Sequence, residues 1–424
     1  MPHRCRRLAV VVALTLGPAA AGAPAQLVGP ELLVNEQTAF DQRQPAVAVD
    51  GSGGFVVTWQ GRETVLAPLE VLARRFGPDG VPLGGEFTVN FDTPESDFRP
   101  AIAANAAGEF VVSWTRAEYS YAMRETHARF FSATGEPSPY EHILAFQTST
   151  TLTSKATADG VGNFVLVWND LAADRMAVFA QRFDSSGKGL SSSFQVNQHA
   201  DSWAQYPDVA ADASGNFVVV WSESLQQIWA RRFDAMGQPL GDDFRVDTVP
   251  PAAARRPEVA MTGAGEFLVV WHGPPPPSPA IDVRGQFFDA SGARVGPELA
   301  LNAYTPGSQG DASVAVTDTN EFLVTWTSPD QDGSGRGIFG RRFDVFGNPI
   351  GPELRINTYT TADQGFSNVA AGPGGVFVAT WESEGQDGQG YGVFAQRLAV
   401  VVFRSDFESG DTCDWSASSG GGCP

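Results

Sequence analysis

The chain has 424 residues, of which 42% are hydrophobic and 11% aromatic, enough apolar material to bury a large core and to exclude a largely disordered protein. Its formal net charge of −20 would repel phosphate backbones, which argues against nucleic acid as a partner.

The N-terminal segment 1–25 has the pattern of an export signal. Three arginines among the first seven residues form a basic start, an apolar run follows from Leu8 to Leu16, and Ala23-Pro24-Ala25 resembles a cleavage site. The run ends at Gly17-Pro18, short of the roughly 20 apolar residues that a membrane span needs. We therefore expect a mature chain without a transmembrane segment, secreted or held at a cell surface.

A phrase of phenylalanine, aliphatic residues and tryptophan returns seven times along the chain. Its tryptophans are spaced by 50 to 55 residues and are Trp59, Trp114, Trp168, Trp221, Trp271, Trp326 and Trp381. Self-similarity at a fixed period indicates one structural unit repeated seven times.

Each repeat contains four short β-type runs separated by turn residues. In the fourth repeat they are 207–212, 216–222, 228–234 and 241–246, rich in Val, Phe and Trp. Four antiparallel strands make a blade, and blades bury both faces only when they pack around an axis. The first run is rich in alanine, and small side chains fit where strands converge, so we place it innermost. The sequence predicts an all-β, seven-bladed β-propeller over 26–403.

The seventh repeat lacks a fourth strand of its own. It ends with its third strand at 392–398, whereas the N-terminal phrase GPELLVN (29–35) matches the fourth strands GPELALN (296–302) and GPELRIN (351–357). We predict that the N-terminal strand completes the last blade and closes the ring. The alternative is an unpaired N-terminal arm.

The long, variable connections run from strand two to three and from strand four to the next blade, and both meet at one end of the ring. Binding residues concentrate on such loops. The candidate ligand-binding residues there are Asp330, Asp332, Asp387, Trp203, Tyr206 and Tyr391. The aspartates lie among glycines, which leaves calcium open as a ligand, although such runs also simply turn the chain. We expect no cofactor, and the aromatics to stack on sugars, dock a protein or pack on neighbouring loops.

Arginines recur before the phenylalanine or leucine that closes the third strand, at Arg75, Arg232, Arg342 and Arg397. Because they follow the period of the fold, we expect a structural role, paired with acids of adjacent turns.

Nothing in the sequence singles out catalytic machinery. The four histidines after the signal segment are His127, His142, His199 and His272, which lie in different repeats without metal-ligand spacing. No Gly-x-Ser-x-Gly elbow accompanies them. Carboxylates converging at the axis would still suit glycoside chemistry, so a polysaccharide hydrolase or lyase stays open.

The C-terminal segment 404–424 holds the two cysteines left in the mature chain, Cys413 and Cys423. An even pair in an exported protein predicts a disulfide, here closing a local loop.

Two stretches resemble known sequences. The phrases QDGSGRGIFGRRFDVFG (331–347) and GQDGQGYGVFAQRL (385–398) resemble a repeat of large exported bacterial surface proteins, which implies adhesion. The tail FRSDFESGDTCDWSASSGGGCP (403–424) is similar to a C-terminal tail of exported proteobacterial proteins, which implies sorting or retention at a Gram-negative surface.

Taken together, the sequence favours a monomeric, secreted, non-catalytic binding or adhesion module that recognises a glycan or protein through its long-loop face. A propeller hydrolase or lyase and a purely structural surface protein are the alternatives.

Overall fold

The computed structural model describes residues 25–62, 64, 67–117, 123–147, 153–172, 175–198, 203–223, 227–248, 255–273 and 281–400. Within these ranges the regular structure consists of β-strands in seven four-stranded antiparallel sheets. The same ranges contain no helix long and apolar enough to cross a membrane. The predicted export signal, the tail and its cysteine pair lie outside the described residues, apart from Ala25.

The strands are numbered in chain order, and each blade is given from its first to its fourth strand. Blades 1 and 2 comprise β2 (Arg43–Val49), β3 (Phe55–Gly61), β4 (Glu70–Phe76), β5 (Phe87–Thr88), β6 (Ser96–Ala104), β7 (Phe110–Ala117), β8 (Arg124–Phe131) and β9 (His142–Gln147). Blades 3 and 4 comprise β10 (Ser154–Ala158), β11 (Phe164–Ala172), β12 (Arg175–Phe183), β13 (Phe194–Gln195), β14 (Gln205–Ala211), β15 (Phe217–Glu223), β16 (Gln227–Phe233) and β17 (Phe244–Arg245). Blades 5 and 6 comprise β18 (Arg255–Met261), β19 (Phe267–Gly273), β20 (Asp282–Phe288), β21 (Arg294–Ala300), β22 (Gly310–Val316), β23 (Phe322–Pro329), β24 (Arg336–Phe343) and β25 (Pro349–Arg355). Blade 7 comprises β26 (Gln364–Gly372), β27 (Val376–Glu384), β28 (Tyr391–Val400) and β1 (Ala25–Leu33).

The seven sheets form a ring around a central channel. Each first strand packs on the first strands of both neighbouring blades, so the alanine-rich strands are innermost as predicted. The seven tryptophans at the ends of the second strands are all buried between blades. The chain is therefore a seven-bladed β-propeller.

The ring is closed by the two ends of the chain, which confirms the prediction for the N-terminal strand. β1 pairs antiparallel with β28, and the ladder continues beyond it, because the Val34 N–H donates to the Val393 carbonyl at 2.9 Å. Val34 is fully buried. Strand exchange between the chain ends thus leaves no gap in the circle.

The recurring asparagine of the GPEL phrase caps the third strand of its own blade. The Val393 N–H donates to Asn35 Oδ1 at 2.7 Å, and the Ile338 N–H donates to Asn357 Oδ1 at 2.7 Å. Both asparagines are almost fully buried. Asn35 therefore caps a strand of blade 7 in the same way as Asn357 caps a strand of blade 6.

The recurring glutamate of the same phrase joins neighbouring blades. Glu298 accepts a hydrogen bond from the Thr248 N–H at 2.8 Å, which follows the outer strand of blade 4. Glu353 accepts from the Ala303 N–H, and Glu31 accepts from the Thr358 N–H. The phrase recurs because its charged residue clamps one blade to the next.

The outer strands vary in length, which the sequence did not predict. In blade 4 the predicted run 241–246 joins the ladder only at Phe244–Arg245. At the same place in the repeat, Gly351 of blade 6 has a φ of 85° and forms a bulge that returns the chain to the ladder, whereas Gly241 has a φ of 159°.

The periodic arginines are structural, but most of their partners are not acids. Arg75 donates to the Ala133 carbonyl at 2.5 Å, Arg232 to the Ala290 carbonyl at 2.6 Å, and Arg397 to the Asp79 carbonyl. Each carbonyl belongs to a turn of the next blade. Arg342 forms an ion pair with an acid as predicted, Glu321 at 2.6 Å. For the other three the hydrogen bonds go to turn carbonyls and not to the expected carboxylates, although Arg232 also acts electrostatically on Asp289 of the same turn.

Candidate functional site

The inner strands of six blades begin with the same backbone distortion. Two residues of the inner strand fail to pair with the second strand, a β-bulge, and the ladder resumes beyond them. One residue of each bulge has a φ between 48° and 55°, and these are Gln44, Arg99, Tyr206, Arg256, Asp311 and Phe366. Side chains other than glycine rarely adopt this conformation, and it costs on the order of 1–3 kcal/mol per residue.

Several contacts hold the bulges in place. The Gln44 N–H donates to Glu382 Oε2 and the Arg99 N–H donates to Gln60 Oε1, both at 2.9 Å and both across a blade boundary. Four of the six residues precede a proline, which ordinarily disfavours such a backbone. Strained backbone is often found at functional sites, and here it turns six side chains toward the axis.

The bulges surround a cavity of about 290 Å³ at the mouth of the central channel. The start of every inner strand contributes to its wall, so the cavity lies on the axis. Inner strands begin where the connections from the fourth strands arrive. The mouth therefore opens on the face that carries the long, variable loops.

The wall of this mouth combines cations with aromatic rings. Arg99 and Arg256 line it together with the half-buried rings of Tyr206 and Phe366. The Arg256 guanidinium carbon lies 5.5 Å from the centroid of the Tyr206 ring. Its Nη1 is 3.5 Å from Asp311 Oδ1, with 51% of the arginine side chain exposed, so that pair is weak.

Arg99 is the least compensated charge at the mouth. Its Nη1 is buried, and no hydrogen-bond partner for it is found among the described residues. Burial, with the neighbouring charges of Arg124 and Arg256, lowers the pKa of Arg99 although Tyr206 opposes the shift. A cation in this position is costly unless something negative joins it.

A polar layer lies one step deeper in the channel. At the register position where blades 1 and 2 carry Ala46 and Ala101, blades 3, 4 and 5 carry Lys155, Asp208 and Glu258. Lys155 Nζ reaches past blade 4 to Glu258 Oε1 at 2.8 Å. Asp208 Oδ2 accepts a hydrogen bond from the Val259 N–H at 2.8 Å. These carboxylates are thus already occupied by the protein's own groups.

The enclosed position of this layer shifts its ionisation. Burial raises the pKa of Asp208 to about 7, with Glu258 adding to the shift and Lys155 opposing it. Burial disfavours the charge on Lys155, but the carboxylates of Glu258 and Asp208 outweigh that effect and raise its pKa. Nearby, burial and the charges of Arg256 and Arg255 lower the pKa of His272 to about 4, so this histidine of the cavity wall is neutral at pH 7.

The aromatic residues selected from the sequence occupy different places. Tyr206 lines the cavity. Trp203 lies three residues earlier, in the connection that enters blade 4, with 44% of its surface exposed. Tyr391 begins β28, and the Arg43 guanidinium carbon lies 3.6 Å from its ring centroid. Neither Trp203 nor Tyr391 is part of the cavity wall.

The selected aspartates lie in the loops between the second and third strands of blades 6 and 7. Asp332 Oδ2 accepts a hydrogen bond from Asn357 Nδ2 at 3.0 Å, and Asp387 Oδ2 accepts one from Asn35 Nδ2 at 3.4 Å. Asp330 sits at a turn, with a φ of 57°. The structure does not bring these three residues to the cavity.

Two further contacts belong to the same loops. Gln331 donates to Glu353 Oε2 at 2.9 Å, and Gln386 donates to Glu31 Oε2 at 2.7 Å. The QDG phrases thus hold the glutamate and asparagine of the GPEL phrase. In the part of the chain that the structure describes, no group of three His, Cys, Asp or Glu side chains is arranged to hold a metal ion.

Sequence reasoning missed Arg99, Arg256, Lys155 and most of the cavity wall. Their signal is a departure from the repeat. Arg99 and Arg256 stand where other blades carry Gln, Tyr, Asp or Phe, and Lys155 stands where blades 1 and 2 carry Ala. Dipeptides that end in proline, such as Arg99-Pro100 and Arg256-Pro257, mark the bulges near the start of the inner strands.

Comparison with known proteins supports the fold and not an activity. No protein-family model matches the sequence, and no curated protein matches it. Among solved structures, a protein of unknown function from Dyadobacter fermentans is 10% identical, with a TM-score of 0.52 and coverage of 89% of this chain and 99% of that one. The WD40 domain of Toxoplasma gondii coronin is also 10% identical, with a TM-score of 0.52 and coverage of 92% and 89%. The alpha-L-arabinofuranosidase Arb93A of Fusarium graminearum is 8% identical, with a TM-score of 0.50 and coverage of 88% and 97%. Identities this low show a shared architecture alone.

Proposed function

We propose that this protein is an exported, non-catalytic binding module, displayed or released by a Gram-negative bacterium, that holds a glycan at the mouth of its central channel. Export rests on the basic and apolar pattern of segment 1–25. The long-loop face, selected from the sequence, is the face on which the mouth opens.

The observation that carries the proposal is the strained ring of side chains around the mouth. Six bulges turn residues of different chemistry toward one axial cavity, and two of these residues are the aromatic Tyr206 and Phe366. A concave site with aromatic walls and a few polar groups is the usual form of a small-ligand site.

A hydrolase or lyase is the second candidate, because Asp208 and Glu258 lie on adjacent blades beside the channel. Their engagement weighs against it. Glu258 is paired with Lys155, and Asp208 accepts a backbone N–H, so neither carboxylate is presented freely to a substrate. Conversion of any bound glycan by the wild-type chain, abolished in Glu258→Gln, would restore this candidate.

The binding proposal is tested on a glycan array with the mature chain, residues 26–424, in calcium and in chelator. We expect a specific signal that Tyr206→Ala removes. Tyr359→Ala is the matched control, since Tyr359 lies on a connection at the same face but outside the cavity wall. A signal that both variants retain would place binding elsewhere, and loss in chelator would favour the loop aspartates as calcium ligands.

A further inference from the structure

We propose that the ligand at the channel mouth is an acidic saccharide, whose carboxylate is held by Arg99 while its sugar ring lies against Tyr206. This inference rests on the proposed function and names the ligand class. It follows from charge compensation, cavity size and the placement of one aromatic ring.

The first step concerns charge. Three cationic side chains line the cavity, and two of them have acidic partners there: Lys155 pairs with Glu258, and Arg256 lies beside Asp311. Arg99 has no acidic partner among the described residues. In a chain whose formal charge is −20, one uncompensated arginine at the axis is a local exception.

The second step concerns a neighbouring guanidinium. The guanidinium carbons of Arg99 and Arg124 lie 5.9 and 5.4 Å from the centroid of the Phe98 ring. Arg124 Nε, like Arg99 Nη1, is buried without a hydrogen-bond partner among the described residues. The two guanidinium groups near this ring repel each other, and a ligand anion bound to Arg99 offsets that repulsion.

The third step concerns shape. A guanidinium matches the planar, two-oxygen edge of a carboxylate, and such charge-assisted hydrogen bonds are among the stronger ones. The cavity of about 290 Å³ is at the lower end of ligand pockets, which suits a single ring. Tyr206 and Phe366 supply aromatic faces in the same wall. A sugar ring that bears a carboxylate combines these features in one residue.

The site is also built in advance. The Arg99 backbone is fixed by its φ of 55°, by Pro100 after it and by the bond from its N–H to Gln60. Positioning the cation before the ligand arrives reduces the ordering cost of binding.

The test uses trigalacturonate as the probe, with its methyl ester and neutral galactotriose as matched sugars, titrated into the mature chain by calorimetry. We expect trigalacturonate to bind at least about 10-fold more tightly than the ester or the neutral sugar, because a hydrogen bond to a charged group is worth that factor or more. Sodium acetate serves as the free carboxylate and is expected to compete only at far higher concentration, since it lacks the ring.

The variants are Arg99→Gln and, as the control, Arg255→Gln. Arg255 is exposed beside the mouth but outside the cavity wall, so both variants remove one charge from the same region. Arg99→Gln should weaken trigalacturonate binding at least about 10-fold, and Arg255→Gln less than about 2-fold. Arg99→Gln should also keep or raise the melting temperature, because it removes an uncompensated cation.

The outcomes separate the two proposals. Equal binding of neutral and acidic sugars, insensitive to Arg99→Gln, would overturn the acidic-saccharide inference and leave the binding module intact. A melting temperature several degrees lower in Arg99→Gln would overturn the inference by making Arg99 a structural residue. Failure of all three sugars to bind the wild-type chain would overturn it as well, while a signal from another glycan on the array would still support the proposed function.

Discussion

Replacing Asn35 with alanine tests ring closure, because this residue follows the N-terminal strand directly and caps a strand at the other end of the chain. The substitution leaves the buried Val393 N–H without its acceptor at 2.7 Å. It also removes the hydrogen bond from Asn35 Nδ2 to the Gln37 carbonyl at 2.9 Å. An unsatisfied buried donor costs about 1–3 kcal/mol.

Asn357→Ala is the matched control, since Asn357 caps Ile338 in blade 6 at the same 2.7 Å from within one continuous repeat. We expect both variants to lose about 1–3 kcal/mol of unfolding free energy. For the roughly 340 residues that the structure describes, with about 2.1 cal/mol/K each, that loss lowers the melting temperature by about 1–4 °C.

The measurement is urea unfolding followed by the fluorescence of the buried tryptophans, with thermal unfolding beside it. If β1 were a loose arm, Asn35→Ala would leave the urea midpoint unchanged while Asn357→Ala lowered it. That difference would refute strand exchange between the chain ends.

Three further predictions concern the channel and the loops. Lys155→Met leaves Glu258 and Asp208 without their cation and should destabilise the fold by about 1–3 kcal/mol at pH 7. This is less than the full cost of breaking a buried pair, because 32% of the Lys155 side chain is exposed. Acidification should recover part of the lost stability, which urea midpoints at pH 5 and pH 7 would measure. Asp208, whose pKa is raised to about 7, contributes stability below pH 4, and this contribution is lost as the pH rises toward 7. His272, whose pKa is lowered to about 4, contributes stability above pH 6.5, and this contribution is lost as the pH falls toward 4. Asp208→Asn should therefore leave a profile that rises between pH 4 and 6.5, and His272→Gln one that falls; identical profiles would contradict both assignments. Because Asp332 and Asp387 already hold Asn357 and Asn35, adding calcium should move the melting temperature by less than about 1 °C, and a rise of several degrees would show that these loops bind the ion.

The fold could be predicted because its causes repeat. The tryptophan and the alanine-rich inner strand recur in the repeats, so each repeat predicts the same blade. The GPEL phrase identifies the closing strand, because Glu31 and Asn35 make the same contacts as their counterparts in other blades. Repetition turns a weak local preference into a strong signal.

The candidate site could not be predicted in the same way, because it consists of exceptions to the repeat. Arg99, Tyr206 and Asp311 occupy one position in different blades and share no chemistry, so only the register of the sheets brings them together. The partner of Arg75 was missed for a related reason, since backbone carbonyls are present at every residue and leave no mark in the sequence. Tyr206 was selected because the sequence predicted an aromatic on a long-loop connection; the structure places it at the start of β14, where its half-buried ring lines the cavity.

The central claim is that ligand binds at the axis of the ring, and a crystal structure of the mature chain with trigalacturonate tests it most directly. The account predicts the sugar in the channel mouth, with a carboxylate oxygen within hydrogen-bond distance of the Arg99 guanidinium and a ring against Tyr206. Sugar bound instead on the outer loops, with the mouth empty, would contradict it.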